Sequence, residues 1–302
     1  MSRTATAPDQ IAAMRHEPVD VRRPLEQTVP VVLASPHSGR DYPESFVRQS
    51  RLDAVSLRRS EDFLIDEIFG AGPSLGMPLV AARFPRAFCD ANREPYELDP
   101  QMFEERLPAF VNTRSVRVAC GLGTIARVVS DGAEIYSRRL SFAEVENRLA
   151  TCYRPYHSVL KDLVAETNAQ FGRVLLLDCH SMPSIGGPLD LDAGLGRKDL
   201  VVGDRYGTAC DPKIVHRAEG LLREQGFDVA RNSPYAGGHT TQLYGRPVQG
   251  LHALQIEINR SLYMDERRIE RGAGFADIAR RIGVFLARLS ESIRTDLARV
   301  SL

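Results

Sequence analysis

The segment RVLLLDCHSMPS (residues 173–184) opens with a run of apolar residues and ends with polar ones, among them Asp178 and His180. A short apolar run of this kind is typical of a buried strand. Strands that are buried on both faces belong to mostly parallel sheets that helices cover on both sides. In these sheets ligands bind beyond the carboxyl ends of the strands, so this histidine lies where a functional site is expected.

Further strands alternate with helices along most of the chain. Apolar runs predict strands at 29–34, 77–84, 198–207 and 252–258, and an extended segment at 116–129. Helical spacing predicts helices at 60–70, 141–172, 211–226 and 266–298. Ser141 and Glu144 form a capping box at the start of the second helix, and Pro155 should kink or interrupt it. We expect a loosely ordered lead-in at 1–27 and a single catalytic α/β domain at 28–302, with a mostly parallel central sheet covered on both faces.

The composition is that of an ordinary globular protein. The chain has 302 residues, of which 43% are apolar, and its 39 basic and 39 acidic side chains cancel. This balance does not favour nucleic acid or an anionic membrane as a partner. No apolar run reaches the roughly 20 residues of a membrane span, and the N-terminus lacks the apolar stretch of a secretory signal. Five cysteines without a CxxC pair argue against a disulfide framework, so we expect a cytoplasmic protein.

Histidines and carboxylates lie at or near the ends of several predicted strands. His37 follows the strand at 29–34, as His180 follows its own, and Glu257 lies within the late strand. Asp62 and Asp66 lie four residues apart, which would place both on one face of a helix. Two histidines and a carboxylate form a common shell for catalytic zinc, with a position left for water. A separate carboxylate such as Glu257 would then move the proton from water to the leaving amine.

Each of these residues also has a structural interpretation. A lone histidine at a strand end is more often structural than a metal ligand. Asp66 alone would be typical of an exposed helix residue, and Glu257 would merely point outward if its strand lay at the edge of the sheet. Asn92 and Arg93, in DANREP (90–95), would suit a fork for a carboxylate, but the arginine is equally typical of a surface.

Two glycine-rich stretches invite other interpretations. GLGTIA (121–126) fits a relaxed dinucleotide fingerprint, but β-branched and turn-forming residues follow it where that motif requires a helix. YAGGHTTQLYG (235–245) lacks the Lys-Ser/Thr ending of a phosphate loop. It is more typical of a loop over the site, with Tyr244 near its end.

Five motifs together resemble the N-formylglutamate amidohydrolase family, which belongs to the zinc carboxypeptidase superfamily. They are SPHSG (35–39), DANREP, LDCHSMPS (177–184), YAGGHTTQLYG and HALQIEINRSLYMDE (252–266). The resemblance covers residues from about 28 to 270 and implies a three-layer α/β/α sandwich around a mixed sheet. It implies hydrolysis of N-formyl-L-glutamate to formate and L-glutamate, a late step of histidine degradation, by an enzyme that uses one Zn²⁺.

The resemblance also assigns roles to residues of this chain. It implies that His37 and His180 bind the metal with Asp66 or Asp62, of which Asp66 is preferred, and that Glu257 is the general base. Asn92 and Arg93 would hold the α-carboxylate of the substrate, and Arg260 would be available for the γ-carboxylate.

The chain departs from the superfamily in one motif, and other readings stay open. The usual H-x-x-E is absent, because Arg40 stands three residues after His37. Arg40 and Arg127 are candidates to stabilise the oxyanion. The substrate could instead be another N-acyl amino acid or a small peptide amide, and iron, cobalt or manganese would also suit the ligands. A third alternative is a relative that binds a metal or an amino acid without catalysis.

Overall fold

The structure, a computed structural model, describes residues 17–188 and 190–300, and the predictions for residues 1–16 lie outside this part. Seven strands form the main sheet: β1 (Val19–Arg22), β2 (Val31–Ser35), β3 (Leu79–Ala82), β4 (Val174–Met182), β5 (Leu200–Gly203), β6 (Val229–Arg231) and β7 (Leu251–Asn259). A separate pair consists of β8 (Met264–Asp265) and β9 (Glu270–Arg271).

The helices are α1 (Glu44–Gln49), α2 (Ala54–Leu57), α3 (Ile65–Ile68), α4 (Val116–Ala119), α5 (Phe142–Arg148), α6 (Arg154–Phe171), α7 (Pro212–Glu224), α8 (His239–Tyr244) and α9 (Phe275–Val300). Short 3₁₀ turns lie at Pro73–Leu75, Pro100–Met102, Pro247–Gln249 and Arg260–Leu262, and a π-helical turn at Leu149–Tyr153 joins α5 to α6. None of the helices in the described residues is both long enough and apolar enough to span a membrane.

The main sheet is mixed and mostly parallel, which confirms the predicted fold class. Its strand order is β1-β3-β2-β4-β7-β5-β6. Strands β3, β2, β4 and β7 run parallel to one another, and β5 runs parallel to β6. The β1–β3 and β5–β7 pairs are antiparallel. The carboxyl ends of β2, β4 and β7 therefore meet at one edge.

Alternating apolar side chains of the central strands enter two separate cores. Val31 and Leu33 pack on one face of the sheet with residues of α3, α7 and α9. Val32 and Ala34 pack on the other face with residues of α5 and α6. Burial on both faces explains why these strands appear in the sequence as continuous apolar runs.

The N-terminal segment contributes an edge strand. β1 pairs antiparallel with β3, with Val19 opposite Ala82 and Arg22 opposite Leu79. This pairing lies inside the stretch predicted as a loosely ordered lead-in, so residues 19–22 of that stretch are ordered by the sheet. Four residues without a long apolar run give too weak a signal for a strand to be predicted.

The connection between α5 and α6 contains a wider turn. The capping box of Ser141 and Glu144 starts α5 as predicted, and Gly172 ends α6 with a φ of 67°. Between them, Leu149–Tyr153 form a π-helical turn just ahead of Pro155. Proline lacks an N–H, and its ring would clash with the carbonyl four residues earlier, which explains why the regular hydrogen-bond ladder breaks here.

Three predicted elements differ from the structure. The final helix, predicted at 266–298, begins only at Phe275, because Glu270–Arg271 form β9. Residues 116–129 were predicted to be extended, but they form α4 and then turns, and Gly121 adopts a φ of 74°. The helix predicted at 60–70 is only the four residues of α3. A positive φ bounds the helix in each of these two segments: Gly121 follows the end of α4, and Leu64 immediately precedes α3.

Candidate active site

The register of β4 against β7 places the second histidine beside the predicted base. In this parallel pair His180 lies opposite Glu257, and Asp178 lies opposite Gln255. Because residues two apart point to the same face of a strand, all four side chains face one side of the sheet. Two residues earlier in each strand, the side chains on this face are apolar and belong to the core beneath α5 and α6. The four polar side chains therefore begin where this core ends.

His37 and Asp62 reach the same place from the loops after β2. The backbone N–H of Asp62 donates to the carbonyl oxygen of His37 at 3.0 Å, which fixes the two residues together. Leu64 then adopts a φ of 61°, and α3 begins only at Ile65. Asp62 therefore lies in a turn ahead of α3 and does not share a helix face with Asp66, contrary to the prediction.

Two histidines and one carboxylate converge at this edge of the sheet. Oδ2 of Asp62 lies 3.0 Å from Nδ1 of His180 and 3.4 Å from Nδ1 of His37. The two imidazole rings have their centroids 4.8 Å apart. Within residues 17–188 and 190–300, these three buried side chains are the only such group whose ligand atoms all lie within 4.8 Å of one another.

The donor atoms of this group fit a metal ion. His37 Nδ1 is buried and has no hydrogen-bond partner in the described part of the chain. Nε2 of His37 lies 2.7 Å from Asp90 Oδ1, and Nε2 of His180 lies 3.0 Å from Asp178 Oδ1. The carboxylate behind His37 keeps the proton on Nε2 and leaves the lone pair of Nδ1 for a metal, and Nδ1 of His180 faces Asp62 at the same point. Two imidazole nitrogens and a carboxylate oxygen could therefore hold a divalent ion.

The electrostatics of the group favour a positive charge at its centre. Burial opposes the ionisation of Asp62, but the imidazoles of His180 and His37 beside it outweigh this effect and hold the pKa of Asp62 well below its usual range. Burial likewise lowers the pKa of His180, but the charges of Asp178 and Asp62 raise that pKa well above the usual value. The surrounding carboxylates thus stabilise a cation here, whether a proton or a metal ion.

Glu257 lies beside this group on an interior strand, so the interpretation of an outward-facing residue on an edge strand does not apply. Burial raises its pKa to about 7. Nε2 of Gln255 donates to Oε1 of Glu257 at 2.7 Å, and the backbone N–H of Gly238 donates to Oε1 of Gln255 at 2.8 Å. These bonds fix one carboxylate oxygen of Glu257 and leave Oε2 without a protein partner among the described residues.

Gly238 allows the loop before α8 to approach the loop after β3. A Cβ atom on Gly238 would lie 2.5 Å from Nδ2 of Asn92, so a larger residue would displace one of the two loops. Next to this contact the N–H of Thr240 donates to Oδ1 of Asn92 at 2.7 Å. The close approach connects two of the sequence motifs, and neither motif alone predicts it.

Helix α6 and the π-helical turn hold the Ala91–Arg93 backbone. The hydroxyl of Tyr153 donates to the carbonyl of Arg93 at 2.8 Å, and Nε2 of His157 lies 2.8 Å from the carbonyl oxygen of Ala91. Burial lowers the pKa of His157 to about 4, so its ring is neutral and donates from Nε2. The backbone that presents Asn92 and Arg93 is therefore fixed by two side chains outside the cavity.

Asn92 and Arg93 have different surroundings. Nδ2 of Asn92 lies 3.0 Å from Nε2 of His180 and 3.3 Å from Asp178, so this side chain packs behind a proposed metal ligand. Arg93 donates from Nε to the carbonyl of Leu122 at 2.8 Å. Its Nη2 has only Asp90 Oδ2 near it, at 3.7 Å, and remains available to a ligand.

The structure does not bring Asp66 to the histidines. The Asp66 carboxylate accepts hydrogen bonds from Arg22 at 2.9 Å and from Arg40 at 3.2 Å. It therefore belongs to an ion-pair network in which Arg40 also bonds Glu67. The preference for Asp66 over Asp62 as the third ligand is corrected by this geometry, because Asp62 alone of the two faces both Nδ1 atoms.

Arg260 bonds to the predicted ligand rather than standing free. Its guanidinium donates to Asp62 Oδ1 at 3.0 Å, to Ser181 Oγ at 3.1 Å and to the carbonyl of Arg59 at 2.9 Å. Each nitrogen of Arg260 thus has a protein partner, and this geometry favours a role in orienting Asp62 over the predicted contact with a substrate carboxylate.

A cavity of about 330 Å³ unites the predicted residues. All of them except Asp66 line it: His37, Asp62, Asn92, Arg93, His180, Glu257 and Arg260. The cavity is also lined by Arg86, Arg117 and Tyr235, which no sequence pattern indicated as site residues. Arg40 and Arg127, the predicted oxyanion candidates, do not line it, because Arg40 pairs with Asp66 and Glu67 and Arg127 with Asp99 and Glu134.

The glycine-rich loop contributes a tyrosine other than the predicted one. Tyr235 lines the cavity together with Ala236, Gly237 and Gly238. Tyr244 instead ends α8 and places its hydroxyl 3.2 Å from Nδ1 of His157. The sequence located the loop correctly, but α8 turns Tyr244 away from the cavity.

A buried His–Asp–His group beside a separate carboxylate, at the strand ends of an α/β/α sandwich, is the arrangement of a mononuclear metal-dependent hydrolase. Comparison with known proteins identifies the family. The chain belongs to the N-formylglutamate amidohydrolase family, whose model matches residues 29–264. This confirms the resemblance found in the sequence.

Individual relatives agree with the family assignment. The chain is 27% identical over 268 residues to an N-formylglutamate deformylase of Pseudomonas aeruginosa, covering 88% of this chain and 92% of that one. It is also 27% identical over 241 residues to the N-formylglutamate deformylase of Pseudomonas putida, covering 79% and 83%. The crystal structure of N-formylglutamate amidohydrolase from Ralstonia eutropha JMP134 superposes with a TM-score of 0.85 at 37% identity, covering 93% of this chain and 100% of that one.

Proposed function

We propose that this protein is a zinc-dependent amidohydrolase that cleaves N-formyl-L-glutamate to formate and L-glutamate. The observation that supports this most directly is the His37–Asp62–His180 group beside Glu257 in one cavity lined by arginines. The names of the relatives supply the substrate, and the donor set, two imidazoles and one carboxylate, is typical of catalytic zinc. The cytoplasmic location stays a prediction from the sequence.

His37, Asp62 and His180 would hold the ion. A bound divalent ion would supply Lewis-acid polarisation of the formyl group and of water near neutral pH. Asp90 would keep the His37 imidazole in the tautomer that presents Nδ1, and Asp178 lies 3.0 Å from Nε2 of His180. Arg260 holds the Asp62 carboxylate in place from the opposite side.

Glu257 would be the general base and then the general acid. Its free oxygen, Oε2, accepts the proton of the attacking water, and the same proton then passes to the departing nitrogen of glutamate. The C–N bond of the amide breaks as the new C–O bond to the formyl carbon forms, so the products are formate and the amino acid. A pKa raised to about 7 suits both roles, because the group can accept and release a proton near neutral pH.

Two arginines would bind the reacting end of the substrate. Arg86 donates from Nε to Asp90 at 2.9 Å, which leaves its terminal nitrogens for the oxyanion that develops on the formyl group. The free Nη2 of Arg93 would bind the α-carboxylate. Asn92 positions His180 and the α8 loop in this scheme and does not itself bind substrate.

The test is formate release by purified protein that has been loaded with Zn²⁺. We expect rapid formate release from N-formyl-L-glutamate, loss of activity after chelation, and recovery when Zn²⁺ is added back. Glu257→Gln should retain stoichiometric zinc and lose about 100- to 10,000-fold in kcat, the usual range for a general acid–base residue. Glu219→Gln is a matched control, since Glu219 is similarly buried but pairs with Arg223 and Arg231 outside the cavity.

A panel of acyl groups separates the alternatives. Release of acetate or succinate from the corresponding acyl-glutamates, without release of formate, would replace the proposed substrate but keep the hydrolase. Zinc binding without hydrolysis of any member of the panel would support a binding protein that lacks catalysis.

A further inference from the structure

The cavity contains one arginine that the proposed mechanism does not use. Arg117 lies on α4, lines the cavity and is half-buried. Among the described residues no carboxylate, carbonyl or hydroxyl accepts a hydrogen bond from its guanidinium. The other three cavity arginines differ, because Arg86, Arg93 and Arg260 each donate to protein oxygens.

Backbone hydrogen bonds connect Arg117 to the proposed α-carboxylate site. The N–H of Leu122 donates to the carbonyl oxygen of Arg117 at 2.8 Å, and the carbonyl of Leu122 accepts from Arg93 Nε at 2.8 Å. The backbone from α4 to Leu122 therefore fixes the positions of Arg117 and Arg93 relative to each other. A ligand held by Arg93 would lie next to Arg117.

The arginines of this cavity differ in their electrostatic surroundings. Burial lowers the pKa of Arg86, but the charges of Asp90 and Asp62 outweigh this effect and raise that pKa, and Nε of Arg86 donates to Asp90, the partner of His37. Burial, with a smaller contribution from the nearby cations Arg86 and Arg117, lowers the pKa of Arg93 to about 10. Arg93 is thus close enough to both other arginines for their charges to act on it.

An unpaired guanidinium in a cavity favours an anionic ligand. The cations of Arg86, Arg93 and Arg117 repel one another, and a second negative charge on the ligand relieves this repulsion. A substrate held at its α-carboxylate by Arg93 has only its side chain left to reach Arg117. A carboxylate in that side chain would match the fork of the guanidinium, whereas a neutral side chain would leave the cation without a partner.

We propose that Arg117 binds the side-chain carboxylate of the substrate and thereby selects acidic amino acids over neutral ones. This inference rests on the function proposed above and deepens it. Arg117 is a specificity-determining residue in this scheme, since it contacts neither the formyl group nor the metal ligands.

The experiment compares N-formyl-L-glutamate with N-formyl-L-glutamine, which has nearly the same shape without the charge. The zinc-loaded wild type should prefer the glutamate by about 10- to 100-fold in kcat/KM, the range for one charge-assisted hydrogen-bonded contact. Arg117→Met should lose this preference through a higher KM for the glutamate, with kcat and the glutamine values changed by less than about threefold. Arg117→Lys should retain part of it. Arg114→Met removes an exposed arginine of the same segment, outside the cavity, and should behave as wild type.

A binding measurement keeps this inference separate from the proposed reaction. Calorimetry with L-glutamate and L-glutamine on the zinc-loaded wild type and Arg117→Met needs no turnover. If no formate is released, the proposed function fails, but a glutamate preference that Arg117→Met abolishes still supports the role of Arg117. A preference retained by folded Arg117→Met, or no preference in the wild type, overturns the inference while formate release stands.

Discussion

Asp90→Asn should weaken metal binding although Asp90 is not a ligand. Asp90 Oδ1 lies 2.7 Å from Nε2 of His37, and both side chains are almost fully buried. The carboxylate fixes the tautomer of the ring and makes its Nδ1 a stronger donor, and loss of such a partner typically costs 10- to 100-fold in metal affinity. That corresponds to about 1.4–2.7 kcal/mol.

The surroundings of Asp90 place the expected effect at the lower end of this range. The same carboxylate also accepts hydrogen bonds from Arg86 at 2.9 Å and from the N–H of Asn92 at 2.8 Å, and Arg93 lies 3.7 Å away. Burial opposes its ionisation, but Arg93, His37 and Arg86 hold its pKa well below the usual range. Part of its negative charge is thus already compensated, so we expect the Kd for Zn²⁺ to rise about tenfold.

The assay is a competition titration of Zn²⁺ and Co²⁺ between the protein and a chromogenic chelator, at a temperature where circular dichroism shows every variant folded. Asp99→Asn is the control, since Asp99 is also buried but bonds Arg127 outside the cavity. An unchanged Kd for folded Asp90→Asn would refute the argument that Asp90 supports His37. A tenfold loss in Asp99→Asn would show that the effect is not specific to the site.

Three further outcomes follow from the geometry. Asp62→Asn should abolish stoichiometric metal binding, whereas Asp66→Asn should keep it, as measured by elemental analysis; the reverse result would restore Asp66 as the ligand. Glu257 has a pKa near 7 in the folded protein against 4.5 ordinarily, so the metal-free fold retains a proton that the unfolded chain releases, and its stability falls as pH rises from about 4.5 to 7. Glu257→Gln mimics the protonated form and should gain stability relative to wild type between pH 5 and pH 8 in denaturant titrations, and a constant difference would contradict the raised pKa. Gly238→Ala should lose about 1–3 kcal/mol of unfolding free energy because its methyl group collides with a side-chain amide, whereas Gly220→Ala, with open space around it, should be neutral or stabilising.

The sequence predicted the parts of the site that regular structure positions. Strands buried on both faces produce apolar runs, and a histidine directly after such a run lies at the carboxyl end of a sheet strand. His37 and His180 could therefore be placed together without coordinates. Glu257 was assigned to the same site because burying a carboxylate within an apolar strand costs free energy unless the group is paired or functional. The fold class followed from the same alternation of strands and helices.

Irregular backbone and long-range pairs explain what could not be predicted. The choice between Asp62 and Asp66 depends on the positive φ of Leu64, a conformation that leucine rarely adopts and that no local pattern indicates. Arg260 reaches Asp62 across 198 residues, a pairing for which one sequence gives no signal. Arg117 lies in a segment that was predicted to be extended but forms helix α4, so its position in the cavity could not be predicted.

The π-helical turn at Leu149–Tyr153 amounts to one spare residue in an otherwise continuous helix. Removing a residue there would restore the α-helical register and rotate one part of the helix against the other by about 100°. With α5 held fixed, Tyr153 and His157 would then swing away from the carbonyls of Arg93 and Ala91, although the helix itself would survive. The extra residue in this turn therefore positions the loop that carries Ala91 and Arg93. Shortening the turn would change the shape of the cavity without unfolding the protein.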